Sequence, residues 1–132
     1  MQFAFSQEEA LLQQSLAGFV AQHGTSAAVR AAMESEAGYD PAVWRNLTET
    51  LGMGGIALPM RLDGAEMGQV GLAIAMMELG RRLVPSPYFS SIAMAAQAIL
   101  LAGGEVQQAA LLPSIASGDV LAALAWRGAG RG

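Results

Sequence analysis

Apolar residues along this chain recur mainly at intervals of three and four, and the runs between them are broken by glycine and proline. That is the pattern of amphipathic helices joined by short turns. Ser6 followed by Glu9 forms a capping box, and Leu12, Leu16, Phe19 and Val20 then lie on one stripe, which predicts a first helix ending near Gly24. The alanine-rich stretch "TSAAVRAAMESE" predicts a second, weaker helix that ends before Gly38. Asp40 as a cap and Pro41 as the first helical residue start a third, with Trp44, Leu47 and Leu51 along one face. The glycines of "GMGGIALP" stop it in a compact turn, and "MRLDGAEMG", with its Asp63 and Gly64 turn signal, reads as an exposed loop.

From Gln69 to Leu83 the chain is expected to be helical again. Val70, Leu72, Ala73, Ile74, Met76, Met77 and Leu79 leave so little of that surface polar that a central, surrounded helix is predicted. Pro85 and Pro87 close it, and Ser90 or Ser91 is expected to cap the next, which runs to about Ala102. Gly103 and Gly104 precede a further short helix that Pro113 should bend or divide. The tail "VLAALAWRGAGRG" begins like a buried strand and dissolves into glycine. A strand with no partner predicts that the chain was cut off there. No solenoid repeat is visible, and the short connections favour an all-α, antiparallel helical bundle of about five to six helices, with the start of a β-strand near the C-terminus.

Composition narrows the function. The 132 residues are enough for one domain with a real core, and at 53% hydrophobic against 14% charged they are more apolar than one globular surface needs. Part of that excess is expected to face another domain or subunit. The net charge is -4, and the seven basic residues are all arginine with no cluster beyond Arg81 and Arg82, which argues against nucleic acid. The absence of cysteine excludes disulfides, thiolate metal sites and thiol nucleophiles. Acidic residues stand where a signal peptide carries basic ones, and "IAMAAQAILLAGG" is shorter than the roughly 20 residues that cross a bilayer. A cytoplasmic protein without a membrane span is expected.

Candidate chemistry is sparse. His23 is the only imidazole, so no histidine metal cluster can form, and its place at a helix end is explained by the dipole or solvent. No metal site is expected. Glu78 interrupts an apolar helix with Arg81 and Arg82 three and four residues on, either as a helix-supporting ion pair or as a group that orders a subunit or an active site. The motifs "GMGG" and "GAGRG" lack the lysine and serine or threonine of a phosphate loop, and the second has no helix behind it. Eight methionines, among them Met67, Met76, Met77 and Met94, either line an adaptable apolar pocket or fill an irregular core.

The order "GYDPAVWRNLTETLGMGGIALP", "GLAIAMMELGRRLVPSPYFSS" and "GGEVQQAALLPSIASGDVLAALA" resembles the N-terminal helical domain of acyl-CoA dehydrogenases over nearly the whole chain. It looks most like the bacterial branch with the "ELGR.L.P.P...S" signature, used on acyl and steroid-side-chain thioesters. The resemblance implies a helical domain over residues 1–118 and the beginning of a β-domain over residues 119–132, with the later domains beyond it. It implies FAD, held between domains and a neighbouring subunit, and an acyl-CoA thioester that becomes a trans-2-enoyl thioester. In this family a glutamate abstracts the α-proton while a hydride leaves the β-carbon for the flavin. That glutamate belongs to a later domain or an adjacent subunit, so this chain alone is expected to be catalytically silent and to form a homo-oligomer or a heteromer.

The flavin-contacting "LTE" of the family is matched here by Leu124, Ala125 and Trp126, so that an alanine replaces the threonine that would bond the isoalloxazine. Met60, Leu62 and Asp63 likewise replace the family's usual glutamate, aromatic residue and first glycine. The "VPSPYFSSIAM" region is expected nearest the substrate, with Tyr88, Ser91 and Met94 as its candidate contacts. Two other readings compete: a non-catalytic helical partner subunit derived from the same family, and an independent lipid-binding bundle.

Overall fold

A computed structural model of the chain describes residues 4–127. Among the described residues there are six α-helices and no strand. Helix α1, Gln7–His23, starts at the expected capping box: Glu9 N–H donates to the Ser6 hydroxyl at 3.2 Å, and Ser6 N–H donates to the Glu9 carboxylate at 2.7 Å. Helix α2, Ser26–Glu34, is capped by the Thr25 hydroxyl, which accepts from Ala28 N–H. Helix α3, Pro41–Arg45, is capped by Asp40 and widens into a π-helical turn over Asn46–Thr50. Each of these starts is fixed by bonds within one turn, which is why the local sequence predicts them.

Short 3-10 turns over Met53–Gly55 and Met60–Leu62 lead to α4, Gly68–Arg81. A π-helical stretch, Phe89–Ala96, runs directly into α5, Gln97–Ala102, and α6 follows at Glu105–Ser117. Helices α1 and α4 share the most extensive packing, although α2 and α3 separate them in sequence. Leu16, Leu47, Leu58, Ile74, Ile92 and Leu112 meet at the centre of one core. Helices α5 and α6 form an antiparallel hairpin around Gly103, where the Gln108 amide donates to the carbonyls of Leu100 and Gly103 at the end of α5. No described helix is long and apolar enough to cross a membrane.

Several expectations change. Leu62 is buried, so the segment after Pro59 is pinned to the core rather than being a plain exposed loop. Helix α4 ends at Arg81 rather than Leu83 and is not surrounded: Leu72, Ile74, Ala75 and Leu79 face inward, whereas Val70 and Met77 are exposed. Neither Ser90 nor Ser91 caps the next helix, because the Pro87 carbonyl already accepts Ser91 N–H and Ser91 lies inside the helical stretch. Pro113 neither divides α6 nor ends it. The missing donor and the ring clash cost about 3 kcal/mol in an isolated helix, and burial of Leu112 and Ile115 on either side offsets this. The expected strand start is absent from 121–126, and Leu121, Leu124 and Trp126 are exposed there. A strand is defined by a ladder, and no backbone ladder forms to these residues among those described. The glycine turn expected at "GAGRG" lies at 128–132, outside the described residues.

Two backbone positions explain otherwise puzzling sequence. Gly54 lies so close to α6 that a β-carbon would overlap the Ala116 carbonyl, so the "GMGG" motif lets two backbones touch. Leu83 follows α4 in the left-handed conformation, φ 53°, and closes a Schellman motif in which Val84 N–H donates to Leu79 and Leu83 N–H donates to Gly80. Glycine normally occupies that position, and the expectation of a longer helix follows from its absence.

Gly54→Ala is expected to lower unfolding stability by about 3 kcal/mol, read as a reduced urea midpoint. Leu83→Gly should raise it by up to about 1 kcal/mol, since an exposed side chain leaves a strained φ at little loss of burial. An unchanged midpoint in the first variant, or a lower one in the second, contradicts these assignments.

Candidate functional site

The π-helical stretch and the tail meet at Ser91. Its hydroxyl, fully buried, donates to the Ala122 carbonyl at 3.0 Å and accepts Ala122 N–H at 2.8 Å. Ser90, one residue earlier, bonds the Pro87 carbonyl of its own turn, the usual habit of a helical serine. Tyr88 points elsewhere: its phenol donates to the Met53 carbonyl at 2.9 Å and ties the start of this stretch to the glycine turn. Burial pushes the phenol well above its ordinary range, so it stays protonated as a donor. Met94 is half-buried on the same stretch.

The predicted residues therefore divide. Ser91 and the segment Leu124, Ala125 and Trp126 come to one corner, linked through Ala122, while Tyr88 turns inward toward the core. Ala95, Ile99, Leu111, Ala122 and Leu124 border an apolar cleft of about 340 Å³ between α5, α6 and the tail. Trp126 is 70% exposed, with the Arg127 guanidinium 4.8 Å from its ring centroid.

Three buried polar groups that no motif in the sequence marks tie the helices around this region to one another. Gln108 accepts from Arg61 while its amide closes α5, and Gln97 accepts from Gln69 of α4 at 2.8 Å. Thr48 donates to the Trp44 carbonyl beneath the point where the Trp44 indole donates to Gly118 at 3.1 Å. Gln108 shares the core-facing spacing of Leu112 and Ile115, so periodicity could have exposed it.

The expected FAD can be tested against this geometry. Residues 123–127 make no hydrogen bond to the rest of the described chain, so their backbone offers free amide donors beside Leu124 and an exposed indole. Those features fit one edge of a planar aromatic cofactor. Ala125 adds no side-chain donor. Among the described residues, no three acidic or histidine side chains lie together as a metal site.

Residues 6–119 match the family model described as the acyl-CoA dehydrogenase N-terminal domain. The chain belongs to the acyl-CoA dehydrogenase family. It is 41% identical over 118 residues to acyl-CoA dehydrogenase IpdE2 of Mycobacterium tuberculosis, covering 89% of this chain and 36% of that protein. It is also 44% identical over 82 residues to the protein of the same name from Mycolicibacterium smegmatis, covering 62% of this chain and 26% of the relative. Among solved structures, a variant of the Tcur3481-Tcur3483 steroid ACAD is similar with TM-score 0.85 and 31% identity, over 94% of this chain and 34% of that one. The ChsE4-ChsE5 complex from Mycobacterium tuberculosis is similar with TM-score 0.88 and 27% identity, over all of this chain and 36% of its own. The acyl-CoA dehydrogenase chain described here thus spans about a third or less of the length of these relatives. One structural neighbour is a complex of two named proteins, and the other carries a two-part name.

The raised Tyr88 pKa carries a pH dependence. Above about pH 10 an unfolded tyrosine loses its proton while the buried one keeps it, so the folded state binds more protons and stability falls as pH rises. Tyr88→Phe is expected to flatten this alkaline slope and to cost about 1 kcal/mol at neutral pH. Urea midpoints taken from neutral to alkaline pH check it; an equal slope in both proteins contradicts the assignment.

Proposed function

We propose that this chain is the N-terminal helical part of a FAD-dependent acyl-CoA dehydrogenase, in which it walls the acyl pocket and presents its tail to the flavin. The observation that supports the reading is the anchored tail of a chain from this family: Ser91 fixes Ala122, and the free backbone beyond it carries Leu124, Ala125 and Trp126 beside an apolar cleft. When bound, FAD would accept the hydride that leaves the β-carbon of the thioester as the trans-2 double bond forms. The residues here bind and orient. Leu124 and Ala125 offer amide donors, Trp126 a flat apolar face, and α5 with α6 an apolar wall that excludes water.

The expected substrate contacts take different roles in this reading. The Tyr88 and Ser91 hydroxyls are already bonded to protein, so these residues would shape the wall, whereas half-buried Met94 can adapt to an acyl or steroid-type group. The base that takes the α-proton is assigned to a domain or subunit outside this chain. The corresponding compartment is the cytoplasm.

The second reading, a non-catalytic partner subunit, draws on the exposed Val70 and Met77 of α4 and on the loss of a side-chain donor at Ala125. The full-length protein purified from its source separates the two. The first reading expects bound flavin whose absorbance bleaches on adding an acyl-CoA or steroid-CoA thioester. A full-length protein that takes up no flavin, alone or with its co-purifying subunit, overturns it; flavin found only on the co-purifying subunit favours the second.

A further inference from the structure

The tail is attached to the helices by few hydrogen bonds. Gly118 accepts from the Trp44 indole, Val120 N–H donates to the Ser114 carbonyl at 3.1 Å, and Ala122 exchanges two bonds with Ser91. Along the described chain, the pair at Ser91 is the last of these. A backbone N–H and C=O both satisfied by one opposing residue is what a ladder partner supplies in an antiparallel sheet. Here a single side-chain hydroxyl takes that part, from a helix 31 residues away in sequence.

The rest of the serine's setting agrees with a dedicated role. A helical serine normally spends its hydroxyl on the carbonyl three or four residues back, as Ser90 does. Ser91 leaves that bond unmade and is fully buried, and among the described residues its hydroxyl bonds Ala122 alone. It lies in a π-helical stretch, a wider turn often found where a side chain must be re-aimed. Ala122, Ala123 and Leu124 all border the cleft between α5, α6 and the tail, so holding Ala122 also holds Leu124 against it.

We propose that Ser91 is a positioning residue, a one-residue substitute for a strand partner that sets the register and direction of the Leu124–Trp126 backbone against the flavin. Its flavin part rests on the dehydrogenase reading above; its structural part does not. Without the hydroxyl, Ala122 loses a donor and an acceptor at once, and the tail pivots about Val120. Cofactor geometry then loosens although the helical core is intact.

The test compares Ser91→Ala, Ser91→Cys and Ser90→Ala with the wild type in the full-length protein. Urea midpoints establish that each variant folds. Exchange of the Ala122 amide with deuterium should be on the order of ten-fold faster or more in Ser91→Ala, the loss expected for two hydrogen bonds, intermediate in Ser91→Cys and unchanged in Ser90→Ala. FAD retention should fall about ten-fold in parallel, with an altered flavin circular-dichroism band. Unchanged Ala122 exchange in a folded Ser91→Ala protein overturns the clamp. Faster exchange with unchanged flavin retention and spectrum overturns its positioning role. A wild type that binds no flavin contradicts the dehydrogenase reading instead, and Ala122 exchange alone then decides the clamp.

Discussion

The packing of this chain depends on one buried carboxylate. Glu78 sits in the face of α4 that meets α1, 1% exposed, and its Oε1 accepts from the Gln13 amide and from Arg81, each at 3.1 Å. Its Oε2 has no protein donor among the described residues. A polar group in such a position is costly unless its partners are held in place, so the one bond that crosses to α1, from Gln13, favours the arrangement of α1 on α4 that makes it. Apolar stripes such as Leu12, Leu16, Phe19 and Val20 favour contact, but they would accept several neighbouring registers.

The same device recurs through the fold. Gln97 ties α5 to α4, Gln108 ties α6 to the end of α5 and to Arg61, and Thr48 and Trp44 bring the π-helical turn under Gly118. Ser91 repeats it for the tail. In a chain so rich in alanine, leucine and methionine, these few polar ties specify which helix faces meet. Along the chain, the Ser91 tie to Ala122 is the last member of the series.

The sequence displays what is local and hides what is distant. Ser6, Thr25 and Asp40 announce their helices because each bonds an amide two or three residues away. The end of α4 is illegible because Leu83 occupies a conformation whose usual signal is glycine. Gly54 reads as a helix breaker, yet its necessity comes from Ala116, far along the chain. In sequence Ser91 reads as a cap or a substrate contact, since nothing near it points to Ala122. Pro113 stays inside a helix because packing on both sides outweighs one lost bond. The candidate flavin residues carry no physical signature of their own in the sequence. Leu124, Ala125 and Trp126 stand out by resemblance alone, and their exposure, with Leu124 bordering a cleft, shows only in three dimensions.

Polar ties, and Glu78 first among them, give an adaptable apolar chain one arrangement. The most direct measurement is a two-dimensional amide NMR spectrum, taken with a urea unfolding curve, of Glu78→Leu in the full-length protein. Removing the buried carboxylate should leave the urea midpoint equal or higher while amide resonances of α1 and α4 broaden or double, as the helices sample more than one register. A single sharp set of resonances at wild-type positions, with an unchanged cooperative transition, would contradict it.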